Sequence, residues 1–237
     1  MPHPSLGRQA LLVSAVLVGL TPLIPVPLLD DAVKSYIERR MVRAIGAAHG
    51  VELDKQTVKE LVDDVDTGLL RSIAMGVITF PAKLIFRKLF VVLEIKRASD
   101  VASRAYHRGY LLDRALASGA MAPHGKHSAR EIRAALDAAT ADSAISPLGG
   151  LMRAVFQRST DVLEAAGKGL VGKLRKKKSD LGEQAVADAV DDAAAAGPVA
   201  TIAQRLEAAL SELPAGHFNE LEARFEHALA QGNGVRR

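Results

Sequence analysis

The pattern of hydrophobic and polar positions divides the chain into two apolar blocks and a series of amphipathic segments. The first block, residues 10–29, contains no charged side chain. Its first proline, Pro22, lacks a backbone donor and clashes with the preceding turn, so a helix here is predicted to end near Leu20 or Thr21. The remaining apolar helix of about a dozen residues is shorter than the roughly 20 residues that a bilayer crossing requires. The block therefore predicts a re-entrant or interfacial membrane segment, while a buried hairpin of a soluble core and a signal peptide remain open.

Apolar residues recur every three or four positions over most of the remaining chain, which predicts amphipathic helices. These helices are expected over residues 27–50, 54–64, 128–139, 148–174, 199–213 and 218–229. Asp54 is expected to cap a helix, and Ser128 with Glu131 has the sequence pattern of a capping box. The short loop at Pro214 predicts that the last two helices form a hairpin. The predicted fold class is therefore all-α: a multi-helix bundle with proline-broken apolar helices and a C-terminal helical hairpin.

The second apolar block spans residues 68–93 and changes character after Pro81. Residues 72–82 are uncharged, and the sequence KLIFRKLFVVLEIKR that follows mixes basic with apolar side chains. This pattern is typical of an interfacial membrane helix, but it also describes a core helix with a charged outer face. The helix is predicted to continue to residue 118. Its small residues are predicted to let a second helix approach closely: Ala98, Ala102, Ala105 and Gly109.

Charge is unevenly distributed along this chain of 237 residues, whose net charge is +4. Residues 1–130 carry 18 Lys and Arg against 12 Asp and Glu, whereas residues 180–226 carry ten acids and only two arginines. The first part is therefore predicted to lie near an anionic surface. A separate basic run, GKLRKKK at residues 172–178, is also predicted to attract anionic lipids. The side chains predicted to contact an anionic surface are Arg39, Arg40, Arg43, Lys83, Arg87, Lys88, Lys173, Arg175, Lys176, Lys177 and Lys178. The side chains predicted to contact the membrane interior are Leu12, Val16, Leu20, Ile24, Val77, Phe80, Phe86 and Phe90.

Candidate catalytic chemistry is sparse. The chain has no cysteine, which excludes disulfides, thiolate metal sites and a cysteine nucleophile. No phosphate loop, dinucleotide fingerprint, metalloprotease motif or nucleophile elbow occurs in the sequence, and its seven histidines are scattered. We therefore expect a protein that is not an enzyme and that holds no cofactor or metal. The remaining alternative is a small-molecule-binding or hydrolytic helical domain that uses His107, Tyr106 or Tyr110.

The first half of the chain also resembles a known group of helical proteins. A short apolar helix leads to LIPVPLLDDAV, then a long amphipathic helix ends in AAHGVEL, and a short acidic helix precedes KLIFRKLFVVLEIKRASDVASRAYHRGYLLDRA. Over roughly residues 10–118 this arrangement resembles the helical domains of the EcsC-like and YcjF-like group. Residues 24–27 match that group's proline-containing turn, whereas His49 and Gly50 stand where the group usually has Tyr-Gly. The resemblance implies membrane association and carries over no catalytic residue.

These patterns predict three segments and one leading function. Residues 10–118 form an apolar module that is expected to associate with a membrane, residues 128–178 are amphipathic helices with a basic end, and residues 179–230 are an acidic, Ala-rich segment followed by the hairpin. The predicted function is a non-enzymatic adaptor or scaffold on the cytoplasmic side of a membrane. Its predicted partners are the anionic bilayer face and a protein that binds residues 199–230. Nucleic acid is not expected, because the basic run has no aromatic residue on which bases could stack. The alternative is a soluble helical oligomer subunit that buries its apolar segments in a core or a subunit interface.

Overall fold

Ten α-helices make up most of the described chain, and no strand occurs among the described residues. The structure, a computed structural model, describes residues 7–24, 29–62, 88–121, 125–176 and 183–234. The helices are α1 (Arg8–Leu20), α2 (Leu29–Ala48), α3 (Lys55–Leu61), α4 (Lys88–Ala117), α5 (Ala129–Ala139), α6 (Pro147–Arg158), α7 (Thr160–Lys176), α8 (Glu183–Ala194), α9 (Gly197–Ala209) and α10 (His217–Gly234). The prediction of an all-α, multi-helix bundle is confirmed.

The ends of several helices follow the local signals of the sequence. α1 stops at Leu20, and Thr21–Leu23 forms a 3-10 turn in which the threonine hydroxyl donates to the carbonyl of Val18 at 2.8 Å. The helix therefore ends where the following proline predicts. Asp54 accepts hydrogen bonds from two backbone amides of α3, and the predicted capping box of Ser128 and Glu131 opens α5. These local predictions are confirmed.

α1 lies at the centre of the bundle. It packs against α2, α4, α8 and α9, so that helices from both halves of the chain cover it. Seven of its apolar side chains are at most 1% exposed: Leu11, Leu12, Ala15, Val16, Leu17, Val18 and Leu20. A helix that is apolar on every side must be covered on every side, and here the protein itself provides that cover.

α1 and α4 cross at a point where both helices carry small residues. A Cβ atom placed on Gly19 would lie 2.9 Å from the carbonyl oxygen of Ala98 and 3.0 Å from the Cβ of Ala102. Further along α4, a Cβ on Gly109 would lie 3.0 Å from a methyl group of Leu11. The prediction that the small residues of α4 allow a second helix to approach closely is confirmed, and that helix is α1.

α9 and α10 follow each other in sequence but pack on different neighbours. α9 lies against α1, α6 and α7, with Val199, Ile202 and Leu206 fully buried, whereas α10 lies mainly against α5 and also contacts α4. The predicted C-terminal hairpin is therefore wrong. The amphipathic pattern placed the apolar face of each helix, but the apolar face of α9 packs on α1 and not on α10.

The three predicted segments also share one hydrophobic core. Buried residues of the described helices from α1 to α10 form a single cluster, and α9 from the third segment packs directly on α1 from the first. The sequence boundaries at residues 118–128 and 178–179 therefore mark changes in composition, while the packing joins the described parts of the three segments into one body. Within the described ranges, none of the helices has the length and apolarity to cross a membrane.

Candidate functional site

The residues of α1 predicted to contact the membrane interior lie in the protein core. Leu12, Val16 and Leu20 are 0% exposed, and Ile24 after the 3-10 turn is 4% exposed. In this conformation their contacts are with other helices, so the prediction of lipid contact is corrected for these four side chains. Their continuous apolar surface is covered by α2, α4, α8 and α9. The other predicted contacts, Val77, Phe80, Phe86 and the side chain of Phe90, lie outside the described part of the chain.

Two of the basic residues predicted to face an anionic surface instead pair with acids of α8. An Nη atom of Arg40 lies 2.9 Å from a carboxylate oxygen of Asp191, and Nζ of Lys173 lies 2.8 Å from Asp192. All four side chains are roughly half exposed, so these pairs are weak and remain accessible to competing anions. The acidic, Ala-rich segment thus neutralises part of the positive charge that the sequence assigned to a membrane surface.

The remaining predicted anionic-surface residues divide into described and undescribed positions. Arg43 is exposed on α2, and Nε of Arg39 donates to the carbonyl of Ser35 one turn earlier at 3.3 Å. The others lie outside the described residues, or have only their backbone described: Lys83, Arg87, Lys88, Arg175, Lys176, Lys177 and Lys178. Their prediction stands untested.

Two arginines hold the chain where it leaves α3 for the second apolar block. Nη2 of Arg108 donates to the carbonyl of Leu61 at 3.0 Å, and Nη1 of Arg133 donates to the carbonyl of Val62 at 2.7 Å. Carbonyls at a helix C-terminus lack partners within the helix, so these guanidinium groups satisfy them. Asp137 lies 3.3 Å from Arg108 and 3.5 Å from Arg133, which keeps both arginines in place. The point at which the chain enters residues 63–87 is therefore anchored to α4 and α5.

A pair of buried histidines lies between α4 and α10. His107 on α4 and His217, the first residue of α10, are 1% and 7% exposed. Their Nε2 atoms lie 3.0 Å apart, and the rings meet edge to face with centroids separated by 5.2 Å. Nδ1 of His107 lies 2.8 Å from the backbone carbonyl oxygen of Ser103. The pair joins two helices whose contacting residues are 110 positions apart in sequence.

The hydrogen bonds of the neutral pair fix which nitrogen carries each proton. A carbonyl oxygen only accepts, so Nδ1 of His107 must donate to Ser103. In a neutral ring the other nitrogen then carries no proton, so Nε2 of His107 accepts the proton of Nε2 of His217. The result is a directed chain of hydrogen bonds from His217 through His107 to the backbone of α4.

Burial keeps both histidines neutral. The pKa of His107 is lowered to about 4, mainly by burial; the neighbouring His217 and Arg224 act in the same direction, and the hydrogen bond to Ser103 opposes them. Burial also lowers the pKa of His217, and Arg224 acts in the same direction, while Glu220 raises it. Both shifts arise mainly because a charged imidazole would lose its water in this site.

Aromatic and acidic groups extend this contact along α4. The ring of Phe218 stands 4.6 Å from that of Tyr110 and 6.4 Å from that of Tyr106. The hydroxyl of Tyr110 donates to Glu222 on α10, and Arg114 lies 3.2 Å from the same carboxylate. Burial raises the pKa of Tyr106 to about 12, and burial together with Glu222 raises that of Tyr110, so both hydroxyls stay protonated near neutral pH. The three residues of the ligand-binding or hydrolytic alternative therefore meet α10 side by side.

A cavity of about 220 Å³ opens beside the histidine pair. It is lined by His107, Ala139, Thr140, Asp142, Ser143, Ile145, Ser146, Pro147, His217, Glu220, Leu221 and Arg224. Ser103 is fully buried and donates to the carbonyl of Ser143 at 2.9 Å, so its hydroxyl is committed to a structural bond. Among the described residues, no three His, Asp or Glu side chains are placed to hold a metal ion. The groups at this cavity are suited to hydrogen bonding and proton uptake.

Sequence reasoning missed His217 as a partner of His107. The amphipathic pattern placed Phe218, Leu221 and Phe225 on the buried face of the last helix, and His217 begins that same helix. A polar residue next to a buried aromatic at a helix start is a weak signal that it too is covered. Its partner, however, lies on a helix that the predicted hairpin did not bring near.

Comparison with protein-family models, with curated proteins and with solved structures found no match for this chain. The resemblance to the EcsC-like and YcjF-like group remains a prediction from the residues quoted above.

Proposed function

We propose that this protein is a non-enzymatic helical scaffold that associates peripherally with the anionic, cytoplasmic face of a membrane. In this proposal α1 is the structural centre of the protein, and the second apolar block supplies the contact with lipid. The observation that carries the proposal is the burial of most of α1 within its own bundle, which leaves the second block to contact lipid. Of the two apolar blocks, only residues 72–97 combine an uncharged stretch with a run of mixed basic and aromatic side chains.

The described structure supports this arrangement by fixing both ends of the second block. Arg108 and Arg133 hold the chain at Leu61 and Val62, before the block, and α4 is packed against α1 and α6 after it. A segment anchored at both ends can press against a bilayer surface without unfolding the bundle. The long basic side chains of such a segment reach headgroup phosphates while its Phe and Leu side chains enter the interface.

A non-catalytic role fits the chemistry of the histidine site. The two imidazoles use their Nε2 atoms on each other, and burial holds both tyrosines protonated. These groups join α10 to the rest of the bundle, which is a structural task. A protein partner at residues 199–230 would bind the outer face of α10, because the apolar face of α9 is buried against α1.

Liposome flotation of the full chain tests the membrane proposal. The protein is expected to float with vesicles that contain phosphatidylglycerol and to stay behind with pure phosphatidylcholine vesicles, since the basic residues need anionic headgroups. Lys83→Gln/Arg87→Gln is expected to abolish flotation. Arg158→Gln/Lys168→Gln removes the same charge from exposed positions on α6 and α7 and serves as the control that still floats.

Two results would contradict the proposal. A monodisperse protein that never floats would favour the alternative of a soluble helical oligomer subunit, and its mass in sedimentation velocity would then give the number of copies. Equal loss of flotation in both double variants would show that net charge alone attracts the vesicles, without a specific role for the second apolar block.

A further inference from the structure

The contacts that attach α10 to α4 are made largely by groups that change on protonation. His217 bonds to His107 at the start of α10, and one turn later Glu222 accepts from Tyr110 and pairs with Arg114 at 3.2 Å. The ring of Phe218 also packs on Tyr110 and Tyr106 of α4, while α10 as a whole lies mainly against α5. We propose that the His107–His217 pair is an acid-sensitive latch, which holds the start of α10 on α4 while both rings are neutral and releases it when they take up protons.

The geometry of the pair makes it intolerant of full protonation. A hydrogen bond between two Nε2 atoms requires that one of them carries no proton. In two imidazolium rings each Nε2 carries a proton, so the 3.0 Å contact would set two donors and two positive charges against each other. His107 is 1% exposed, so little water screens that repulsion while the helices stay in contact.

The charged groups around the pair do not remove this sensitivity. Glu220 on α10 raises the pKa of His217. Arg224, one turn later, lowers the pKa of both rings. Asp142, in the loop before α6, lines the same cavity but is exposed to solvent. From α4 the group that faces His107 is the backbone carbonyl of Ser103, which accepts from Nδ1 in either protonation state.

The size of the effect follows from proton linkage. With α10 in place the pKa of His107 is about 4, and a released histidine titrates near 6.5. The released form therefore binds more protons between these values, so acid favours release. Lowering the pH from 7 to 5 is expected to raise the opening equilibrium constant about 20-fold through His107 alone. His217, whose pKa is also lowered, adds to this in the same direction.

Hydrogen exchange of the full chain, followed by mass spectrometry from pH 7.5 to 5 and corrected for intrinsic exchange rates, tests the latch. The protection of residues 217–231 is expected to fall at least tenfold more than that of α1 and α9 over this range. His107→Gln cannot take up the proton and is expected to lose most of this acid response. His227→Gln removes an exposed histidine from the same helix and is the matched control that keeps it.

Several outcomes would overturn the proposal. Equal loss of protection in α1, α9 and α10 would mean that acid unfolds the whole bundle, and unchanged protection of α10 would mean that nothing opens. A full acid response in His107→Gln would assign the effect to other groups. If that variant does not fold, nitrogen NMR of the wild-type rings decides: the latch requires the Nδ1–H form of His107 and a midpoint well below 6.5, and a midpoint at 6.5 or above contradicts it.

Discussion

Replacement of Gly19 by alanine probes the close crossing of α1 and α4. The added Cβ would lie 2.9 Å from the backbone carbonyl oxygen of Ala98, a distance that real Cβ atoms essentially never show, and 3.0 Å from the Cβ of Ala102. Neither atom can turn away like the end of a flexible side chain, so α1 and α4 must move apart. Overpacking of this kind costs about 1–3 kcal/mol. The gain in helix propensity from Gly to Ala offsets at most about 1 kcal/mol of this cost, because Gly19 stands next to the last residue of α1.

The net effect of Gly19→Ala is therefore a loss of about 1 kcal/mol in the free energy of unfolding. A matched control exists in Gly169, which is exposed on α7 and has nothing within 4 Å of its added Cβ. Gly169→Ala is expected to gain about 0.5–1 kcal/mol, because only the helix propensity and unfolded-state terms remain. Urea unfolding followed by far-UV circular dichroism measures both variants against the wild type. If Gly19→Ala stabilises the protein as much as Gly169→Ala does, the close α1–α4 crossing is refuted.

Three further variants test other parts of the described structure. Leu17→Ala is expected to lower the free energy of unfolding by about 2–5 kcal/mol, since this side chain is 1% exposed at the centre of the bundle; a loss below about 1 kcal/mol in urea would show that α1 is not core. Ser128→Ala is expected to cost about 1 kcal/mol by removing the cap of α5, and Ser128→Asn should restore most of it in the same assay. Between pH 7 and pH 5, the free energy of unfolding of the wild type is expected to fall by about 2 kcal/mol more than that of His107→Gln. The pKa of His107, about 4, is below that of the unfolded chain, which therefore binds more protons; a difference that does not change with pH would contradict this.

The sequence by itself determined what depends on neighbouring residues. Pro22 set the end of α1, Ser128 and Glu131 set the start of α5, and the three- and four-residue spacing gave the buried face of each amphipathic helix. The small residues of α4 likewise identified a surface that another helix could approach closely. These features involve hydrogen bonds and steric contacts within about one helical turn, or the composition of one face, and both can be read directly from the order of residues.

Only the tertiary structure decided which apolar helix faces pack against each other. The apolar surface of α1 could meet lipid, a second copy or its own chain, and it meets α9, which begins nearly 180 positions later. α10 packs on α5 although α9 is its neighbour in sequence, and this choice brings His217 to His107. Many pairings of amphipathic helices bury similar apolar area, so the sequence pattern does not rank them. The ranking comes from how closely two particular surfaces fit, as at Gly19, and that fit depends on side chains far apart in the chain.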